Sequence, residues 1–112
     1  MTNPLKGQIS INLGGEDHTC RLTVDAIIKI ETELDKGILA ITQKLSDADV
    51  RVKELAVILL HALRGGGNNL TMGDVKLLIQ NSGIVDTCSA VATLLVSTMS
   101  DPSESGGDSK KG

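Results

Sequence analysis

Not one Phe, Tyr or Trp occurs in the 112 residues of this chain. Aromatic rings bury the most area per residue, so the core must be assembled from Leu, Ile, Val, Ala and Met. A small core of that kind is modest in stability, which gives the chain a motive to self-associate or to hold a larger partner. The same absence removes the rings on which single-stranded nucleic acids stack. Basic residues are sparse as well: 11 Lys and Arg stand against 14 Asp and Glu, a net charge of -3. They form no cluster, which argues against a nucleic-acid partner. Two cysteines, Cys20 and Cys88, lie far apart among apolar or small neighbours and read as buried free thiols. No apolar run reaches the roughly 18 residues of a membrane span, and no apolar segment follows a basic head. The expectation is a soluble, cytoplasmic protein with no membrane partner.

What the chain does have is clear periodicity. In "GQISINLGGEDHTCRLT" the residues Ile9, Ile11 and Leu13 share one face, opposite Gln8, Ser10 and Asn12. That face resumes at His18, Cys20 and Leu22, and Gly14-Gly15 supply a turn, so the stretch reads as a β-hairpin. A lone hairpin is marginal in water, and its apolar face must lie on the helices that follow. Thr23 caps the first of these, "VDAIIKIETELDKG", with Val24, Ile27, Ile30 and Leu34 as its stripe and Ile28 widening it. Gly37 ends it after Lys36. A short second helix carries Ile38, Ile41, Thr42 and Leu45. Ser46 and Asp49 then form a capping pair that opens the third helix. Its stripe of Val52, Leu55, Ala56, Leu59, Leu60 and Leu63 is the clearest in the chain, with Arg51, Lys53 and Glu54 toward solvent.

Thr71 and Asp74 make a second capping pair, starting a helix with Val75, Leu78 and Ile79 inward and Gly83 at its end. The fifth helix, "IVDTCSAVATLLVSTM", places Ile84, Cys88, Val91, Leu95 and Met99 on one side, with Val85, Ala92 and Val96 broadening the band. Its β-branched residues leave a strand reading of "VATLLVSTM" open. The predicted fold is α+β and mostly helical: an N-terminal β-hairpin packed on a bundle of four or five short helices. Ile30, Leu55, Leu59, Leu63 and Leu78 are its expected core. One domain covers 1–99, and "SDPSESGGDSKKG" is a disordered tail over 100–112.

The loop "GGGNNLTMGD" poses the sharpest chemical question. A phosphate-binding loop follows a strand and ends in Gly-Lys-Ser/Thr. Here Gly65, Gly66 and Gly67 follow a helix, no such ending occurs, and Asp74 would repel a phosphate from the next helix start. The loop reads as a joint, with Gly65 in a left-handed cap and Gly66 and Gly67 merely permitting the reversal. His18 and Cys20 share a strand face, yet they are two ligands short of a zinc tetrahedron. His61 reads as a satisfied or exposed histidine. The carboxylates Glu31, Glu33, Asp35, Asp47 and Asp49 read as caps and solvated faces. No catalytic constellation, metal site or cofactor is expected.

The order of these elements is more distinctive than any one of them. The stretches "GQISINLGGEDHTCRLTVDAIIKIETELDKGI", "VKELAVILLHALRGGG" and "LTMGDVKLLIQNSGIVDTCSAVATLL" together resemble the small tail protein of the gene transfer agent family, over residues 6–97. In that pattern a Gly-led strand and turn precede "RLT" and a helix with a central acidic residue, here Glu31. The resemblance implies a non-catalytic tail assembly chaperone that binds the tape-measure protein while the tail tube polymerises, with the tail tube protein as a second partner. The family also carries the label of tail tube protein. A tube subunit needs several long strands, and one hairpin with about five helices favours the chaperone. A structural tail tube or tail-completion component is the alternative. A small helical DNA-binding regulator is a more distant one, with only Arg64 and Lys76 basic near the joint.

Overall fold

The computed structural model describes residues 8–100, for Ser100 the backbone alone. The lead before residue 8 and the tail expected beyond Ser100 lie outside the described residues. Strands β1 (Gln8–Leu13) and β2 (Glu16–Arg21) form a two-stranded antiparallel sheet. Helices α1 (Val24–Leu34), α2 (Ile38–Ser46), α3 (Val52–Gly65), α4 (Met72–Ser82) and α5 (Ile84–Ser100) follow. Gly14 and Gly15 join the strands with φ of 63° and 88°, the positive pair that a tight hairpin turn of matching twist demands. Ile9 pairs with Cys20 and Ile11 with His18. Ile11, Leu13 and Cys20 are buried on the face the alternation marks out.

α3 is the centre of the molecule. It touches β2, α1, α4 and α5, and every residue from Glu54 to Leu60 is buried, with Ala62 and Leu63 beyond them. Leu55, Leu59 and Leu63 are inaccessible to solvent, as is Ile30 of α1. A helix buried on nearly all sides lies between layers rather than on one. Near its C-terminal end, His61 Nε2 meets Glu33 Oε1 at 2.5 Å and ties α3 to α1.

Several boundaries and faces differ from those read off the sequence. α1 buries Ala26, Ile30 and Leu34, while Val24 and Ile28 are exposed. A three-turn helix has room for one stripe against α3, and those two residues fall beside it. α1 also ends before Gly37: Asp35 takes the left-handed conformation at φ 53°. Gly37, in extended conformation, is instead the N-cap of α2. Having no side chain to cap with, it leaves the task to Glu31, whose Oε2 accepts the Ile38 amide at 2.8 Å.

Ser46 and Asp49 finish α2 rather than opening α3. Asp49 N donates to Lys44 O and Ala48 N to Leu45 O, the paired bonds of a Schellman ending. Ala48 holds the left-handed position at φ 58°. α3 starts later, after Arg51, whose amide donates to Glu54 Oε1 at 2.8 Å. Glu54 is therefore not on a solvent face; it is 2% exposed. Its Oε2 accepts from Lys36 Nζ at 3.0 Å and lies 3.5 Å from Lys44 Nζ, so one carboxylate ties the α1–α2 connection and α2 to α3. Desolvation pushes its pKa up, but the Arg51 amide and the two ammonium groups outweigh that and hold it below the usual carboxylate range.

In α4, Val75 and Ile79 take the inner positions and Leu78 sits half-buried at the core margin. A short helix at the edge again fits only one i, i+4 pair inward. "VATLLVSTM" is helical throughout. Its buried set, Thr87, Ala90, Val91, Leu94 and Leu95, recurs at helical spacing against β1 and α3, leaving Ile84 and Met99 exposed.

Candidate protein-binding surface

The triple glycine is built for close approach, not for a ligand. A Cβ on Gly65 would fall 2.1 Å from the Arg21 carbonyl oxygen, and one on Gly66 would fall 2.1 Å from that of Thr19. No side chain fits there: the end of α3 lies directly against the backbone of β2. The helix runs through Gly65, and the left-handed cap is Gly67 at φ 98°. Asn68 N donates to Leu63 O and Gly67 N to Arg64 O, completing a Schellman ending. Asn68 Nδ2 then donates to Thr19 O at 2.7 Å. The expectation of a cap at Gly65 and latitude at Gly66 is corrected on both counts. Asn68, which the sequence reading passed over, is the clasp of this joint.

Downstream, Thr71 Oγ1 accepts the Asp74 amide at 3.2 Å and Asp74 Oδ2 accepts the Thr71 amide at 3.0 Å. The Thr71 amide and hydroxyl hold the Asp74 carboxyl below its usual range, so the helix start is already occupied by a fixed negative charge. Gly83, at φ 89°, lets α5 leave α4 at a bend of 115°. The Gly83 carbonyl accepts both the Thr87 amide at 3.0 Å and Thr87 Oγ1 at 2.7 Å. At the start of α1, Thr23 Oγ1 accepts the Ala26 amide.

The surface chemistry is apolar rather than catalytic. Cys20 is buried, and burial pushes its thiol up to about 12, far from thiolate formation near neutrality. Among the described residues no group of three or more His, Cys, Asp or Glu could hold a metal ion. No single helix there is long and apolar enough to cross a membrane. What is conspicuous is exposed aliphatic surface. Between α2 and α5 runs a groove of about 520 Å³ bordered by Leu39, Thr42, Leu45, Ala92 and Val96. A second, of about 470 Å³, lies at the bend, bordered by Val52, Lys76, Ile79 and Ile84. Leu39 is 72% exposed and Val85, beside the bend, 78%. Leu39 borders the first groove, so an apolar side chain and an apolar depression adjoin there.

A family model described as "Phage tail tube protein, GTA-gp10" matches residues 6–101. The chain belongs to that family. Its role therefore lies in phage or gene transfer agent tail assembly, and the family is one of structural and chaperone proteins, not of enzymes. No curated protein and no solved structure matches the chain.

Proposed function

We propose that the protein is a tail assembly chaperone that binds the tape-measure protein during tube polymerisation and leaves before the particle is complete. The observation that carries this reading is the economy of β-structure. Among the described residues there is one hairpin, of two six-residue strands, and its apolar face is spent on α3 and α5. A ring subunit that lines a tube needs a continuous inner β-surface, and the described residues offer only this two-stranded sheet. Exposed aliphatics on α2, α4 and α5 support the same reading. The apolar groove between α2 and α5 suits the apolar stripe of a client helix.

Co-expression with the tape-measure protein of the same gene cluster tests the proposal. The long helical protein should stay soluble with this chain and precipitate without it. Equal precipitation in both cases defeats the chaperone reading. Purified particles decide the alternative, since a tube or tail-completion component would be retained in stoichiometric amount.

A further inference from the structure

The two edges of the hairpin are not equivalent. With Leu13 and Glu16 closing a two-residue turn, the pairs Leu13–Glu16, Ile11–His18 and Ile9–Cys20 exchange hydrogen bonds inside the hairpin. The peptide groups of the intervening residues point outward. On β2 that outer edge is taken: Thr19 O accepts from Asn68, and Gly65 and Gly66 press against Arg21 and Thr19. On β1 the stretch at Ser10 and Asn12 is open: no hydrogen bond from either backbone to a group outside the hairpin occurs among the described residues. "QISINL" contains no Pro and no charge, the usual guards of an exposed edge. Beside this edge lies a groove of about 640 Å³, whose far wall is Asn81, Ser82, Asp86, Ser89, Ala90 and Thr93. Ser89, Ala90 and Thr93 on that wall are small side chains. Ser82 borders the groove as well, and its buried Oγ has no hydrogen-bond partner among the described residues.

We infer that the outer edge of β1 accepts an extended peptide strand from a different chain, one that carries Lys or Arg opposite Asp86. Backbone pairing to Ser10 and Asn12 supplies the affinity, in the manner of strand addition. Charge supplies the choice of occupant. Among the described residues Asp86 is the one ionisable side chain bordering the groove. A second copy is a poor occupant: its β1 has no cation to set against Asp86, its β2 edge is already covered, and each copy carries -3. This inference does not depend on the tape-measure reading.

A random octapeptide library displayed on a carrier protein tests it directly. Enriched peptides should alternate β-branched residues with others and contain Lys or Arg. They should shift the backbone amide resonances of Ser10 and Asn12. Asp86→Asn should weaken them about fivefold, as for a surface charge pair. Ser10→Pro, which deletes an outward amide and none inside the hairpin, should abolish binding. If that variant fails to fold, methylating alternate peptide amides makes the same test on the ligand side. Absence of enrichment over the carrier, or binding that survives amide methylation, overturns the inference. Dimerisation of the protein through β1 in sedimentation, lost when the edge is blocked, would likewise overturn it by naming a second copy as occupant.

Discussion

The hairpin with α3 and the outer shell of α2, α4 and α5 are made of much the same residues put to opposite uses. In α3, Leu55, Leu59 and Leu63 vanish from solvent, and the helix end is pressed so close to β2 that only glycine fits. In the outer shell, Leu39, Leu77, Ile84 and Val85 stand out in water. Burial is what a fold is made from, while sustained aliphatic exposure works against solubility and persists where a partner covers it. All three outer helices also bury core residues, Ile41, Val75 and Leu94 among them, so the contrast lies between their inner and outer faces, and the proposed client would use the outer ones. Substitutions in each should therefore fail in different assays.

The largest effect is expected at the joint. Gly66→Ala sets a methyl group 2.1 Å from a backbone oxygen, and neither the end of α3 nor β2 can yield alone. A loss of about 3 kcal/mol or more is expected, at or above the upper range of overpacking. Gly67→Ala meets nothing within 4 Å and suffers only its left-handed backbone, about 1–2 kcal/mol. Urea melts of the two variants separate steric exclusion from backbone strain. Equal losses would show that α3 does not hold this close to β2.

Leu59→Ala follows, with an expected loss of about 2–5 kcal/mol from a fully buried position. That is a large share of the stability of a small domain. A change below about 0.5 kcal/mol would place this face of α3 on the surface and dissolve the contrast between the regions.

How legible each region was in the sequence follows from the same contrast. The hairpin face and the α3 stripe were readable because burial there imposes a strict period. The capping pair at Thr71 and Asp74 was readable because its bonds are local. Left-handed helix ends at Asp35 and Ala48 were not, since glycine is the residue that advertises that conformation and neither position has it. Glu54 was hidden for a different reason. A carboxylate beside Lys53 looks solvated until Lys36 and Lys44 arrive from elsewhere in the chain to neutralise it. Asn68 and the close approach at Gly65 and Gly66 depend on β2, over 40 residues earlier, and no local pattern records that meeting. The apolar grooves were the least legible feature, because periodicity marks which residues are aliphatic but not which stripe the core leaves uncovered.

Glu54 offers a smaller, pH-dependent test of the central region. Its carboxyl is held below the usual range in the folded protein. Its contribution is therefore complete above the unfolded-state value of about 4.3 and fades as pH falls through the lower folded value. Glu54→Gln should lose about 1–3 kcal/mol near pH 7, a figure discounted because Lys36 and Lys44 keep partial access to water. The gap between variant and wild type should narrow in melts at pH 3. A gap that stays constant from pH 7 to pH 3 would mean that hydrogen-bond geometry, not charge, joins α3 to α2 and the connection before it.

The smallest stability effect should accompany the clearest functional one, at Leu39. Its side chain is 72% exposed on the rim of the groove between α2 and α5, so Leu39→Ser removes little that folding uses. The melting curve should move by less than about 0.5 kcal/mol, the usual range for a surface change. If the groove holds the apolar stripe of a client helix, the same variant should leave more tape-measure protein in the pellet after co-expression, while its own solubility rises or holds. Val85→Ser, outside that groove and equally neutral for folding, serves as the control that locates the client. Loss with Leu39→Ser alone assigns the client to the α2–α5 groove. Loss with Val85→Ser alone moves it to the bend between α4 and α5. Should both variants hold the client in solution as well as wild type does, exposed aliphatics are not the recognition surface, and the division of labour between core and shell fails at its functional half.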